Sequence, residues 1–157
     1  MQSEAKFHSR NKSVFHETQQ LRAFLYADYC VATHFHDFYE INIILGGSGT
    51  HMIEGSCFKV RKGDVFVIPP NIVHAYSETD KLDVYHFILR KEFIDENKTE
   101  AKSIPGFLQF IEIEPYLRQH FSDAMFLHLS SAQLDRVLRE LREFEDGSTF
   151  RAKPSPR

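Results

Sequence analysis

The chain has 157 residues, 19 Lys and Arg against 22 Asp and Glu, and a formal charge of −3, which fits one domain. There is no long basic run, so this stretch is not expected to grip DNA by itself. The first twenty residues are polar and hold no apolar core of a leader, and no apolar run is long enough for a membrane helix, so the cytoplasm is the default location.

Residues 1–20 read as an arm or a loosely held first strand. From Leu21 to Leu89, short runs rich in Val, Ile, Phe and Tyr alternate with turn signals. Those signals are Gly46-Gly47-Ser48-Gly49, Glu54-Gly55-Ser56, Lys62-Gly63-Asp64 and Pro69-Pro70-Asn71. A spacing near 8 residues is that of a barrel or sandwich of short antiparallel strands. The barrel is expected over 21–95. Cys30 and Cys57 have no CxxC partner and read as reduced core thiols.

A helical region is expected over 96–147, after a polar crossing at Asp95 to Ser103. It opens at Pro105-Gly106, with Pro115 interrupting or restarting it. Ser130 and Gln133 form a capping box ahead of a stripe at Leu134, Val137, Leu138, Leu141 and Phe144. That stripe either packs on its own barrel or forms a dimer seam. Gly147 is the expected stop, and residues 148–157 read as a disordered tail.

The informative segment is His34-Phe35-His36-Asp37-Phe38-Tyr39-Glu40. On an unbroken strand, His34, His36, Phe38, Glu40, Asn42 and Ile44 share one face, and Phe35, Tyr39, Ile41, Ile43 and Leu45 the other. Both faces are largely apolar, so both want cover. Two imidazoles and a carboxylate turned inward are costly unless paired, hydrated or metal-bound. Nitrogen and carboxylate donors suit Zn, Ni, Mn or Fe(II). His74, behind Pro69-Pro70-Asn71, is the natural further donor. His34, His36, Glu40 and His74 are thus the expected metal set. With Phe38 and Tyr76 they are also the expected ligand-binding set. Phe24, Phe66, Phe87 and Tyr26 are further candidates for the pocket wall. His51 and His86 read as surface or satisfied core residues. His8, His16, His120 and His128 carry no pattern.

The run His34-x-His36-x3-Glu40-x6-Gly47 matches the core of the first cupin motif, and Gly63-x5-Pro69-x-Asn71-x2-His74 resembles the second. Asp28 stands where the first motif opens with Gly, Asn71 where the second has Gly, and Glu78 where it ends in Asn. More narrowly, HFHDFYEINIILGGSGTHMIEG, then VRKGDVFVIPPNIVHAY, then the helical part resemble the N-terminal domain of AraC-type transcription regulators. The resemblance covers residues 20–150. It implies a mainly β, cupin-type barrel with C-terminal helices. It also implies a small-molecule effector, and a homodimer built through Leu134, Val137, Leu138 and Leu141. DNA is then read by a separate C-terminal helix-turn-helix pair, and the sequence reads as a fragment of such a regulator. No catalytic residue is expected. The alternative is a metal-dependent cupin enzyme of dioxygenase or isomerase type.

Overall fold

The computed structural model of the chain describes residues 14–120 and 127–145, and the backbone of two short strands at Phe7–Ser9 and Lys153–Pro154. In chain order the main strands are β1 (Phe7–Ser9), β2 (Leu21–Ala27), β3 (Val31–His36), β4 (Tyr39–Ile53), β5 (Ser56–Arg61), β6 (Asp64–Ile68) and β7 (His74–Leu89). Three helices follow: α1 (Lys91–Glu96), α2 (Lys98–Lys102) and α3 (Glu114–His120). Then come strand β8 (Leu127–His128), helix α4 (Ser131–Glu145) and strand β9 (Lys153–Pro154). Apart from the backbone of β9, the expected disordered tail lies outside the described residues, as do the Phe144 side chain and Gly147.

β4 and β7 are the spine of the fold. They pair antiparallel from Tyr39 opposite Leu89 to Ile53 opposite His74. Each half of this ribbon has its own neighbours. Glu40–Ile43 of β4 pair with β6, and Ser48–Ile53 with β5. Leu21–Tyr26 of β2 pair with Val84–Leu89 of β7, while β3 pairs with its other end at His74 and Tyr76. A ribbon shared between two sheets must bend, and the register slips between Ile44 and Thr50 where it does. Gly46-Gly47-Ser48-Gly49 is therefore not a turn but the bulged middle of β4. Gly47 has φ +73° and lies directly against the backbone of Lys81. Glu54-Gly55, Lys62-Gly63 and Pro70-Asn71 do turn the chain.

The alternation expected over residues 34–44 holds, although Asp37-Phe38 breaks the strand. Every even residue from His34 to Ile44 is buried. The inward face joins Tyr29, Ile53, Val60, Phe66, Tyr76, Leu82 and Val84 in the barrel core. The outward face, with Ile43, Val65 and Tyr85, is covered by α4. Leu134 is 1% exposed there, and Val137, Leu138 and Leu141 pack beside it. Burying a leucine this fully stabilises by about 1.5–3 kcal/mol. The capping box forms: Ser130 N–H donates to Gln133 Oε1 (2.8 Å) and Gln133 N–H to Ser130 Oγ (3.3 Å).

Residues 95–103, expected as a polar crossing, lie mostly in α1 and α2. Pro115 restarts the following helix. It has no N–H for the Ile111 carbonyl, and the turn before it widens to a π-helix over Gln109–Ile113, with Glu114 N–H reaching Gln109 O. Cys30 and Cys57 are exposed, not core thiols. Cys57 lies on the outward side of β5 with Lys59 and Arg61, while Phe58 and Val60 turn inward.

Candidate functional site

β3, β4 and β7 carry the candidate side chains. His34 and His36 end β3, Glu40 is the second residue of β4, and His74 opens β7 directly opposite His34. The loop before His74 is tied back by Asn71 N–H donating to His36 O (2.6 Å). Asn71 has φ +65°, and Asp28, at the other glycine position of the motifs, has φ +54°. Both departures thus keep the left-handed backbone a glycine would take, which Asn and Asp tolerate best among other residues. Glu78 has φ +50°, and its carboxylate accepts from Thr50 and Lys59, away from the cluster.

The liganding atoms of His36, Glu40 and His74 lie within 4.8 Å of one another, and all three side chains are buried. His36 Nε2 is 3.2 Å from Glu40 Oε2. His34 stands beside this trio. Its ring centroid is 4.1 Å from that of His74 but 6.1 Å from that of His36. Phe38 stacks on His36 at 4.1 Å, and the Tyr76 hydroxyl accepts from Asn42 Nδ2 at 3.2 Å. Phe24 and Tyr26 pack on His86, and Phe66 on His51. Phe87 pairs across with Ile41 on the outward face, so it does not shape the interior.

Two histidines matter here that sequence reading set aside. His86 Nε2 is 3.6 Å from Glu40 Oε1, and the residue is buried. His51 is also fully buried, stacked on Tyr76 at 4.0 Å, with neither ring nitrogen hydrogen-bonded among the described residues. Strand alternation could have flagged His86, which falls in step with Val84 and Ile88. Nothing local marks His51.

The backbone sets the tautomers. Nδ1 of His34, His36, His74 and His86 faces the carbonyls of Ala32, Phe38, Ile72 and Val84 at 2.8, 2.8, 2.9 and 3.2 Å. A carbonyl only accepts, so each Nδ1 carries the hydrogen, and in the neutral ring Nε2 is a bare lone pair. Nε2 of His36, His74 and His86, Glu40 Oε1 and Asn42 Oδ1 have no hydrogen-bond partner among the described residues.

Burial opposes ionisation of Glu40. A hydrogen bond donated by His36 and positive charge on His36, His86 and His74 act the other way, outweigh burial and hold the carboxyl well below its usual range when those rings are protonated. Burial pushes His74 down to about 3 and lowers His34 and His86 too. With Nδ1 anchored to a carbonyl, neutral rings at His74 and His86 place bare Nε2 lone pairs beside the Glu40 carboxylate, a convergence of acceptors. Buried acceptors without a donor are costly, and this donor set fits a first-row divalent cation. Carbonyl-anchored Nδ1–H groups are also the usual outer support of histidines that bind metal through Nε2.

A bent β4–β7 ribbon closed by β2, β3, β5 and β6, with motif residues aimed inward, defines a cupin-type barrel followed by helices. Residues 22–146 match the family model described as AraC-like ligand binding domain, and the chain belongs to that family. It is similar to the HTH-type transcriptional activator RhaR of Escherichia coli (strain K12), with 32% identity over 76 residues, 48% of this chain and 27% of that protein. The chain thus spans about a quarter of the length of the curated relatives it matches. Among solved structures it is similar to a Cupin 2 conserved barrel domain protein from Salinispora arenicola CNS-205. Identity there is 20%, the match covers 52% of this chain and 73% of that one, and the TM-score is 0.42. For a cupin-2 domain containing protein from Shewanella frigidimarina NCIMB 400 the values are 18%, 48%, 76% and 0.41. No helix among the described residues is long and apolar enough to cross a membrane.

Proposed function

We propose that this chain is the effector-sensing unit of a cytoplasmic AraC-type transcription regulator. A small-molecule effector docks at the mouth of the barrel, and DNA is contacted by a helix-turn-helix region distinct from these residues. The observation that carries this reading is the cluster of unpartnered acceptors on the inner face of a barrel in the AraC-like ligand-binding family. A few convergent polar groups in an otherwise apolar enclosure are what an effector site needs. No step in this reading requires a catalytic residue.

His36, Glu40 and His74 would hold a divalent transition metal ion. When bound, such an ion supplies a Lewis-acidic position for an oxygen or nitrogen of the effector. His34, beside His74, and Phe38, stacked on His36, flank that position. The route outward is short. Glu40 and Asn42 face the site, while Ile41 and Ile43 on the same strand lie under α4. A shift of β4 on effector binding therefore moves the seat of α4. Arg118 of α3 adds a second link, donating to the Val67 carbonyl of β6. Coupling of this kind requires the effector to bind two arrangements with different affinity.

Protein purified without chelator or nickel resin should melt higher with Zn(II), Ni(II) or Mn(II) and return to its original melting temperature in EDTA. At a hundred times Kd the gain should be about 2.7 kcal/mol. No shift and no heat of binding with any of the three would remove the metal from this reading.

A homodimer with α4 as its seam belongs to the same proposal. Leu134 is committed to the barrel, so the seam uses the half-exposed edges of Val137, Leu138 and Leu141. Sedimentation equilibrium at micromolar concentration should give the mass of two chains, and the mass of one would rule the dimer out.

A further inference from the structure

We infer that His86, which lies outside both cupin motifs, is the fourth donor of the cation site in place of His34. This rests on the metal reading above. Glu40 is approached from two sides: His36 Nε2 faces Oε2 at 3.2 Å and His86 Nε2 faces Oε1 at 3.6 Å. Nδ1 of His86 faces the Val84 carbonyl at 3.2 Å, and in the neutral ring with its hydrogen there the lone pair of Nε2 points at a carboxylate oxygen. Two acceptors facing each other away from water repel, and a cation shared by both turns the repulsion into binding. The separation from Glu40 suits it, although His86 lies outside the group of donors that are all within 4.8 Å of one another, so its ring would shift toward them on binding. Donors bonded to zinc at 2.0–2.1 Å in a tetrahedron stand about 3.4 Å apart.

The ring of His86 cannot easily turn away. It stacks on Phe24 (5.2 Å, 5°) and meets the edges of Tyr26 (5.1 Å, 89°) and Tyr29 (4.7 Å, 74°). His34 makes its ring contacts with His74 and His36. Neither histidine belongs to the tightest trio, but His86 is the one that faces the carboxylate.

Co(II) titration followed by visible absorption tests the assignment on the parent, on His86→Phe, which keeps an aromatic ring against Phe24, and on His34→Gln. His86→Phe should weaken Co(II) binding by about tenfold or more and change the ligand-field bands, while His34→Gln should leave the bands as they are. On the parent alone, imidazole nitrogen NMR during Zn(II) addition should move Nε2 of His86 and not that of His34. This second readout decides if His86→Phe does not fold. Unchanged bands and affinity in His86→Phe, or a Zn(II)-induced shift at His34 in place of His86, would overturn the assignment alone. A parent that binds neither ion would overturn the metal reading and this inference together.

Discussion

Gly47→Ala should destabilise the protein by about 4 kcal/mol or more, in the range reserved for a named structural failure. Two penalties coincide. The backbone at Gly47 has φ +73°, which costs a residue with a side chain about 1–2 kcal/mol. A Cβ there would also overlap the backbone carbonyls of Lys81 and Asp80. Those carbonyls belong to the bent middle of β7, where Glu78 and Lys81 themselves take positive φ, so they cannot step aside cheaply. Gly55→Ala separates the two penalties. Gly55 has φ +85°, but nothing lies within 4 Å of an added Cβ, so only the backbone cost applies. Urea midpoints at constant m measure the difference. Equal losses for the two variants would mean that β4 and β7 do not cross closely at this point.

Acid should unfold the metal-free protein well before its surface carboxylates titrate. Burial holds His74 at about 3 in the fold, against about 6.5 in the unfolded chain. Between those values the unfolded chain binds a proton that the fold refuses, so unfolding takes up protons and stability falls as pH falls. One such group changes stability by about 1.4 kcal/mol per pH unit. His34, His51 and His86 are lowered in the same direction by burial. Glu40 adds to the effect further down. Its folded value lies below the unfolded one, so its contribution is present above about 4.3 and is lost as pH falls through the folded value. The urea midpoint in EDTA should therefore drop steeply from pH 6.5 to 5. His51→Phe should flatten that slope by about one proton while leaving the proposed donors in place. A midpoint unchanged between pH 7 and 5 would mean that these imidazoles already carry protons in the fold.

The inner face of β3 and β4 was legible because alternation is local. His34, His36, Phe38, Glu40, Asn42 and Ile44 all turn inward, even across the break at Asp37-Phe38. The reciprocal cap of Ser130 and Gln133 and the turns at Gly55, Gly63 and Asn71 were legible for the same reason. Each depends on residues a few positions apart. The glycine run at 46–49 was misread because a turn and a bulge ask the same freedom of the backbone. What separates them is the strand lying across. Cys57 was misplaced because its composition fits a core strand, and only pairing makes β5 a strand with one wet side.

What the amino-acid order determines by itself is which side chains share a face and where the chain can turn, since dihedral preference and strand period act over a few residues. Which faces meet is decided by register and closure. The pairing of β4 with β7 sets Asn42 opposite His86 and brings that imidazole to Glu40, and it buries His51 without a hydrogen bond to the described residues. Neither outcome is encoded near the residue concerned. Both arise when ends of the chain tens of positions apart are forced into one small, dry space.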